Sequence, residues 1–91
     1  MKFEKYLDVE INRKIIRFFL ENPSSIDTSR GIAAWINEDA NKTERALHSL
    51  AKAKILVSHA TALTCAYACT TDKNTISKII LCLERKRKTP H

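Results

Sequence analysis

In the stretch "EDANKTERALHSLAKAKILVSH", residues 38–59, the side chains of Asn41, Lys42, Arg45, His48, Ser49 and Lys52 offer hydrogen-bond donors or positive charge, and no glycine interrupts them. Such groups bind anions and polar edges, whereas bond-breaking chemistry needs an acid, base or nucleophile held by an orienting partner. The three histidines, His48, His59 and His91, have no nearby Asp or Glu placed to orient them as bases. The lone Gly31 leaves no glycine-rich phosphate loop. An enzyme is therefore not expected, and no small-molecule substrate is evident.

The cysteines argue against a metal or redox centre. Cys65 and Cys69 stand four apart in a β-prone segment, which places them roughly 13 Å from each other on a strand, too far for a disulfide or a shared zinc. Cys82 lies well away in sequence, and neither a Cys-x-x-Cys nor a His-x-x-x-His spacing occurs. Three cysteines with no secretory context fit reduced thiols. No metal and no cofactor is expected.

The charge is formally +6 over 91 residues, unevenly spread: residues 21–40 carry −3, while 41–60 and 81–91 each carry +3. An imbalance of this kind implies polyanionic partners, either nucleic acid or an anionic surface, and says nothing about fold. A chain of this length holds one core, so a single domain over 1–91 is expected. Met1–Glu10 lacks the apolar centre of a signal peptide, and no apolar run approaches the roughly 20 residues that span a bilayer. A cytoplasmic protein with no membrane partner is the expectation.

The donors need a helix to hold them, and apolar spacing supplies one. At about 100° per residue, Thr43, Ala46, Leu47 and Leu50 share one side of a helix over 40–53, and Asn41, Arg45, His48 and Lys52 share the opposite side. Asp39 is placed to cap its start. Before it, Ile11, Ile15, Ile16, Phe18, Phe19 and Leu20 predict a helix over Asp8–Glu21 with Asp8 as N-cap, stopped at Asn22-Pro23. An extended step at Ser25-Ile26-Asp27 then leads to a short helix capped by Thr28 or Asp27, with Trp35 as core or edge packing. After Ala53-Lys54, Ile55–His59 and Cys65–Thr70 predict a two-stranded hairpin with Cys65, Tyr67 and Cys69 inward. Thr71-Asp72 opens a last helix over about 73–88, striped by Ile76, Ile79, Ile80 and Leu83.

The segments "KIIRFFLENP", "SRGIAAWINEDANKTERALHSLAKAKILV" and "YACT" together resemble the winged helix-turn-helix family of prokaryotic transcription regulators over about residues 8–71. The resemblance implies a mainly α, α+β fold, a winged helix-turn-helix with an extra C-terminal helix. It also implies that helix 40–53 enters the major groove of double-stranded DNA and that the hairpin is the wing. Two features depart from the family: "SHATALTCA" has no Lys or Arg and no glycine at its tip, and Lys54 stands where many members have glycine.

On that reading Arg45 and Asn41 face base edges, because Arg pairs with guanine and Asn with adenine through two hydrogen bonds. Lys42, His48, Ser49 and Lys52 meet bases or phosphates, and Thr28, Ser29 and Arg30, at the start of the preceding helix, lie over a phosphate. The wing's His59, Thr61 and Thr64 are candidates for phosphate contact, and the tail Arg85-Lys86-Arg87-Lys88 either grips phosphates or satisfies the carbonyls at its own helix C-terminus. The last helix either folds back on its own first helix or pairs with a second copy, making a homodimer through the first and C-terminal helices. The rival reading is a winged-helix module that docks a protein partner without binding DNA.

Overall fold

The computed structural model describes residues 2–87, of which Lys2, Lys86 and Arg87 are described by backbone only. In chain order the elements are α1 (Lys2–Leu7), α2 (Glu10–Glu21), β1 (Ile26–Thr28), α3 (Ser29–Ile36), α4 (Ala40–Lys52), β2 (Leu56–Ala60), β3 (Cys65–Cys69) and α5 (Lys73–Arg87). Helices thus outweigh a small antiparallel sheet, an α+β architecture consistent with a winged-helix-like fold.

The opening of the chain differs from the helix expected over 8–21. Helix α2 begins only at Glu10, and its N-cap is Val9, extended at φ −93° and ψ 124°, with no side-chain cap; Asp8 does not serve. The break has a physical cause further on. Asn12 Nδ2 donates to the Tyr6 carbonyl at 2.8 Å and an Arg13 guanidinium N–H donates to the Leu7 carbonyl at 2.7 Å, so side chains of α2 close the C-terminal carbonyls of α1. Asn12 is itself buried, and the pairing satisfies it.

The sheet has three strands, not the two of the expected hairpin. Its order is β1-β3-β2, with β3 central and antiparallel to both neighbours. The extended step before α3 is long enough to pair Ile26 with Ala68, Asp27 with Tyr67 and Thr28 with Ala66, so the edge that β3 would leave open toward β1 is occupied. The wing strands run in register from Leu56 opposite Cys69 to Ala60 opposite Cys65. Tyr67 is buried and Cys65 and Cys69 pack beside it, as period-two alternation requires.

One apolar cluster joins these pieces. Ile15, Ile16 and Phe19 of α2 meet Ile32 of α3, Ala46, Leu47 and Leu50 of α4, Ile55, Leu56 and Tyr67. The last helix folds back in cis: Ile79, Cys82 and Leu83 are buried near α1, whose Leu7 is fully enclosed. Ile80 does not join its expected stripe and remains 39% exposed, because Cys82, one turn round from Ile79, takes the inward side. Trp35, expected to pack in the core or at its edge, lies at the edge. It is 73% exposed, since Ile32, Ala33 and Ile36 fill the inward side of the short α3, and its ring tilts over Phe18 with centroids 6.1 Å apart.

Candidate nucleic-acid interface

Three local devices hold α3 and α4 in a helix-turn-helix arrangement. Thr28 caps α3, its Oγ1 accepting from the Gly31 N–H at 3.3 Å, while the Asp27 carboxylate turns instead to the Thr28 N–H at 2.8 Å. That carboxylate lies where a Cβ on residue 31 would be, which is why the chain's lone glycine sits there. At the far end Asn37 adopts the left-handed conformation, φ 57°, and the Glu38 N–H reaches back to the Ala33 carbonyl at 3.0 Å. Asn tolerates that region better than most residues, so the turn closes without glycine. Asp39 then caps α4, accepting from the Lys42 N–H at 3.0 Å, as anticipated.

The turn is also clamped from behind. Lys14 of α2 bonds Glu38 at 2.6 Å and reaches the Ile36 carbonyl at 3.5 Å, and the carboxylate partner raises the Lys14 ammonium above its ordinary value. Buried Thr43 adds a bond from its Oγ1 to the Asp39 carbonyl at 2.8 Å. Helix α4 is therefore fixed at its first turn by hydrogen bonds and along its length by Ala46, Leu47 and Leu50 in the core.

With α4 so anchored, Asn41, Lys42, Arg45, His48 and Lys52 are all exposed, and Ser49 is half-buried on the flank. Arg30 is exposed at the start of α3, where Thr28 and Ser29 are half-buried. The structure thus brings Asn41, Arg45, His48 and Lys52 onto one solvent-facing stripe, with Thr28, Ser29 and Arg30 at the neighbouring helix start. Arg45, His48, Glu44 and Tyr67 line a shallow cleft of about 290 Å³ between α4 and the wing strand β3. Burial, with a smaller contribution from Cys65, pushes the Tyr67 phenol up to about 12, so it stays protonated in the floor of this cleft.

One residue escaped the sequence reading. Glu44 stands exposed on α4 and accepts a hydrogen bond from the Ser29 hydroxyl at 3.2 Å, linking the start of α3 to the candidate reading helix. Its helical offset from the inward-facing leucines, between the buried and donor faces, was the available signal.

The hairpin of β2 and β3 is short and holds no Asp, Glu, Lys or Arg. Thr61 organises the tip: its N–H donates to the Thr64 carbonyl at 2.7 Å, and its Oγ1 accepts from the backbone N–H groups of Leu63 and Thr64. His59, Thr61 and Thr64 are exposed, and Leu63 at the tip is 96% exposed. In the basic tail, Arg85 is exposed, the side chains of Lys86 and Arg87 are not described, and Lys88 lies outside the described residues altogether. Among the described residues no three His, Cys, Asp or Glu side chains gather as metal ligands, and no helix is long and apolar enough to cross a membrane.

No protein-family model and no curated protein matches the chain. Among solved structures it is similar to a "Possible transcriptional regulator from Methanosarcina mazei Go1", with a TM-score of 0.63 at 16% sequence identity, covering 97% of this chain and 86% of that one. At that identity the likeness establishes a shared fold, spanning the extra helices as well as the helix-turn-helix.

Proposed function

We propose that this chain is a transcription regulator that binds double-stranded DNA sequence-specifically, as a pair of identical copies, by laying α4 in the major groove. The observation that carries the reading is the stripe Asn41, Arg45, His48 and Lys52, solvent-facing on a helix whose opposite side is locked in the core. A helix of this kind fits the groove, and its donors match what base edges and phosphates accept. The fold shared with a protein described as a possible transcriptional regulator points the same way.

Within this proposal Arg45 and Asn41 read bases, and Lys42, His48, Ser49 and Lys52 contact bases or phosphates. Thr28, Ser29 and Arg30 hold a phosphate at the start of α3, for which the Ser29 hydroxyl must exchange its bond to Glu44. Glu44 then faces the duplex as either an acceptor for a cytosine amino group or a penalty against close phosphates. Binding is an occupancy event, with no catalytic step.

The test is a salt titration of binding to mixed-sequence duplex for the wild type, Arg45→Ala and Lys52→Ala. Each substitution should weaken binding and reduce the slope of log K against log salt by about 0.9 if the cation meets one phosphate. An Arg45 that reads guanine instead leaves that slope nearly intact and costs about 1–3 kcal/mol at a selected site only. Binding curves unchanged by both substitutions would overturn the proposal and favour a protein-docking module.

A further inference from the structure

Helix α4 carries a single acid, Glu44, among Lys42, Arg45, His48 and Lys52. Its exposed carboxylate makes no ion pair with any of them among the described residues, and its hydrogen bond comes from the Ser29 hydroxyl at 3.2 Å. A carboxylate so placed weakens attraction to any duplex, because each phosphate brought near it is a like charge. One exposed bond to a hydroxyl offsets little of that. Capping is not its role either, since Asp39 caps α4 and Thr28 caps α3.

Register gives this carboxylate a place in the reading surface. A helix seated in the major groove turns positions i, i+3, i+4 and i+7 toward the base edges. Counted from Asn41, the later positions are Glu44, Arg45 and His48, and all are exposed, while the interleaved Thr43, Ala46 and Leu47 are buried. Glu44 also shares the shallow cleft beside β3 with Arg45 and His48. The acid therefore belongs to the same face as the donors and enters the groove with them.

We infer that Glu44 is a specificity-determining residue whose carboxylate accepts a hydrogen bond from the exocyclic amino group of a cytosine in the operator. In the major groove only cytosine and adenine offer a donor; guanine and thymine present acceptors and a methyl group. Adenine sets its N7 acceptor beside the amino group, and an ionised carboxylate has no proton to give it, so the adenine edge is penalised where the cytosine edge is not. The Ser29 hydroxyl holds the carboxylate at the flank of α4 in the free protein, and cytosine exchanges one hydrogen bond for another. At other bases the carboxylate faces acceptors and phosphates without compensation. A charge that weakens binding everywhere is thus offset at cytosine alone, which is discrimination by exclusion. This inference rests on the proposed seating of α4 in the major groove and requires no particular oligomeric state.

The test is selection of bound duplexes from a randomised pool by the full chain and by Glu44→Gln, Glu44→Ala and Ser29→Ala, with circular dichroism to check folding. Binding titrations on the selected site and on mixed-sequence duplex follow. Glu44 is exposed, so its variants should remain folded. The wild-type site should hold a position restricted to cytosine, whose replacement by thymine weakens binding about 5–150-fold. Glu44→Gln should move that position to adenine, to which a side-chain amide makes paired hydrogen bonds. Glu44→Ala should accept any base there, keep the preferences set elsewhere by Asn41 and Arg45, and bind mixed-sequence duplex about threefold more tightly or better. Ser29→Ala removes the link to α3 but keeps the carboxylate, so it should retain the cytosine. A Glu44 that merely ties α3 to α4 would alter stability and leave every base preference unmoved. Specific sites identical for the wild type and both Glu44 variants, or a cytosine lost equally in Ser29→Ala, would overturn this inference and leave the α4 reading standing. A wild-type chain that binds no duplex overturns both.

Discussion

Lys54 occupies the joint between α4 and the wing in the left-handed conformation, φ 65°, and replacing it with glycine should stabilise the protein relative to alanine at the same place. The joint is a Schellman closure: the Lys54 N–H bonds the Ala51 carbonyl and the Ile55 N–H bonds the Leu50 carbonyl, each at 3.0 Å, with Ile55 and Leu50 both buried in the core. These bonds require a positive φ, which costs a residue bearing a Cβ roughly 1–2 kcal/mol. Glycine removes that strain and returns about 0.4–1 kcal/mol through its freer unfolded chain, leaving a net gain of about 0.5–1 kcal/mol. Lys54→Gly also loses a cation near a helix C-terminus, a loss of about 0.3–1 kcal/mol, so alanine is the proper reference because it loses the same charge and keeps the strain. Thermal unfolding followed by circular dichroism should place the midpoint of Lys54→Gly about 2–8 °C above that of Lys54→Ala, using the usual 4–8 °C per kcal/mol for a chain of this size. Equal midpoints, or alanine the higher, would show that the closure carries no such strain and that the direction of the wing is set by packing alone.

Two further outcomes concern the site's support. Asp39→Ala should destabilise the protein by about 1 kcal/mol through loss of the α4 cap, with Asp39→Ser recovering most of it, measured by denaturant titration. Ultraviolet titration should find the Tyr67 phenol ionising near about 12, a transition that Tyr67→Phe abolishes. Because the folded value lies above the ordinary 10.0, the stability linked to this phenol is complete below pH 10 and is lost as pH rises through about 12.

Much of the arrangement around α4 was legible in the chain alone. The opposition of Leu47 and Leu50 to Arg45 and Lys52 depends only on residue spacing along a helix, and the caps Thr28 and Asp39 depend on hydrogen bonds to N–H groups three residues on. The alternation that turns Tyr67 inward is likewise a property of one strand.

What spacing could not reveal was decided by contacts distant in sequence. Whether Asp8 starts a helix depended on Asn12 and Arg13 reaching back to the carbonyls of α1, and whether Ile26 joined a sheet depended on Ala68 standing opposite it. Trp35 reads as core or edge packing and Ile80 as part of an apolar stripe because their hydrophobicity is local, but their exposure follows from the neighbours that the short α3 and the cis-packed α5 find in three dimensions. Local hydrogen bonding and periodicity act within a few residues and are written into the chain; the side that a helix shows to water is settled only when the remaining elements have taken their places.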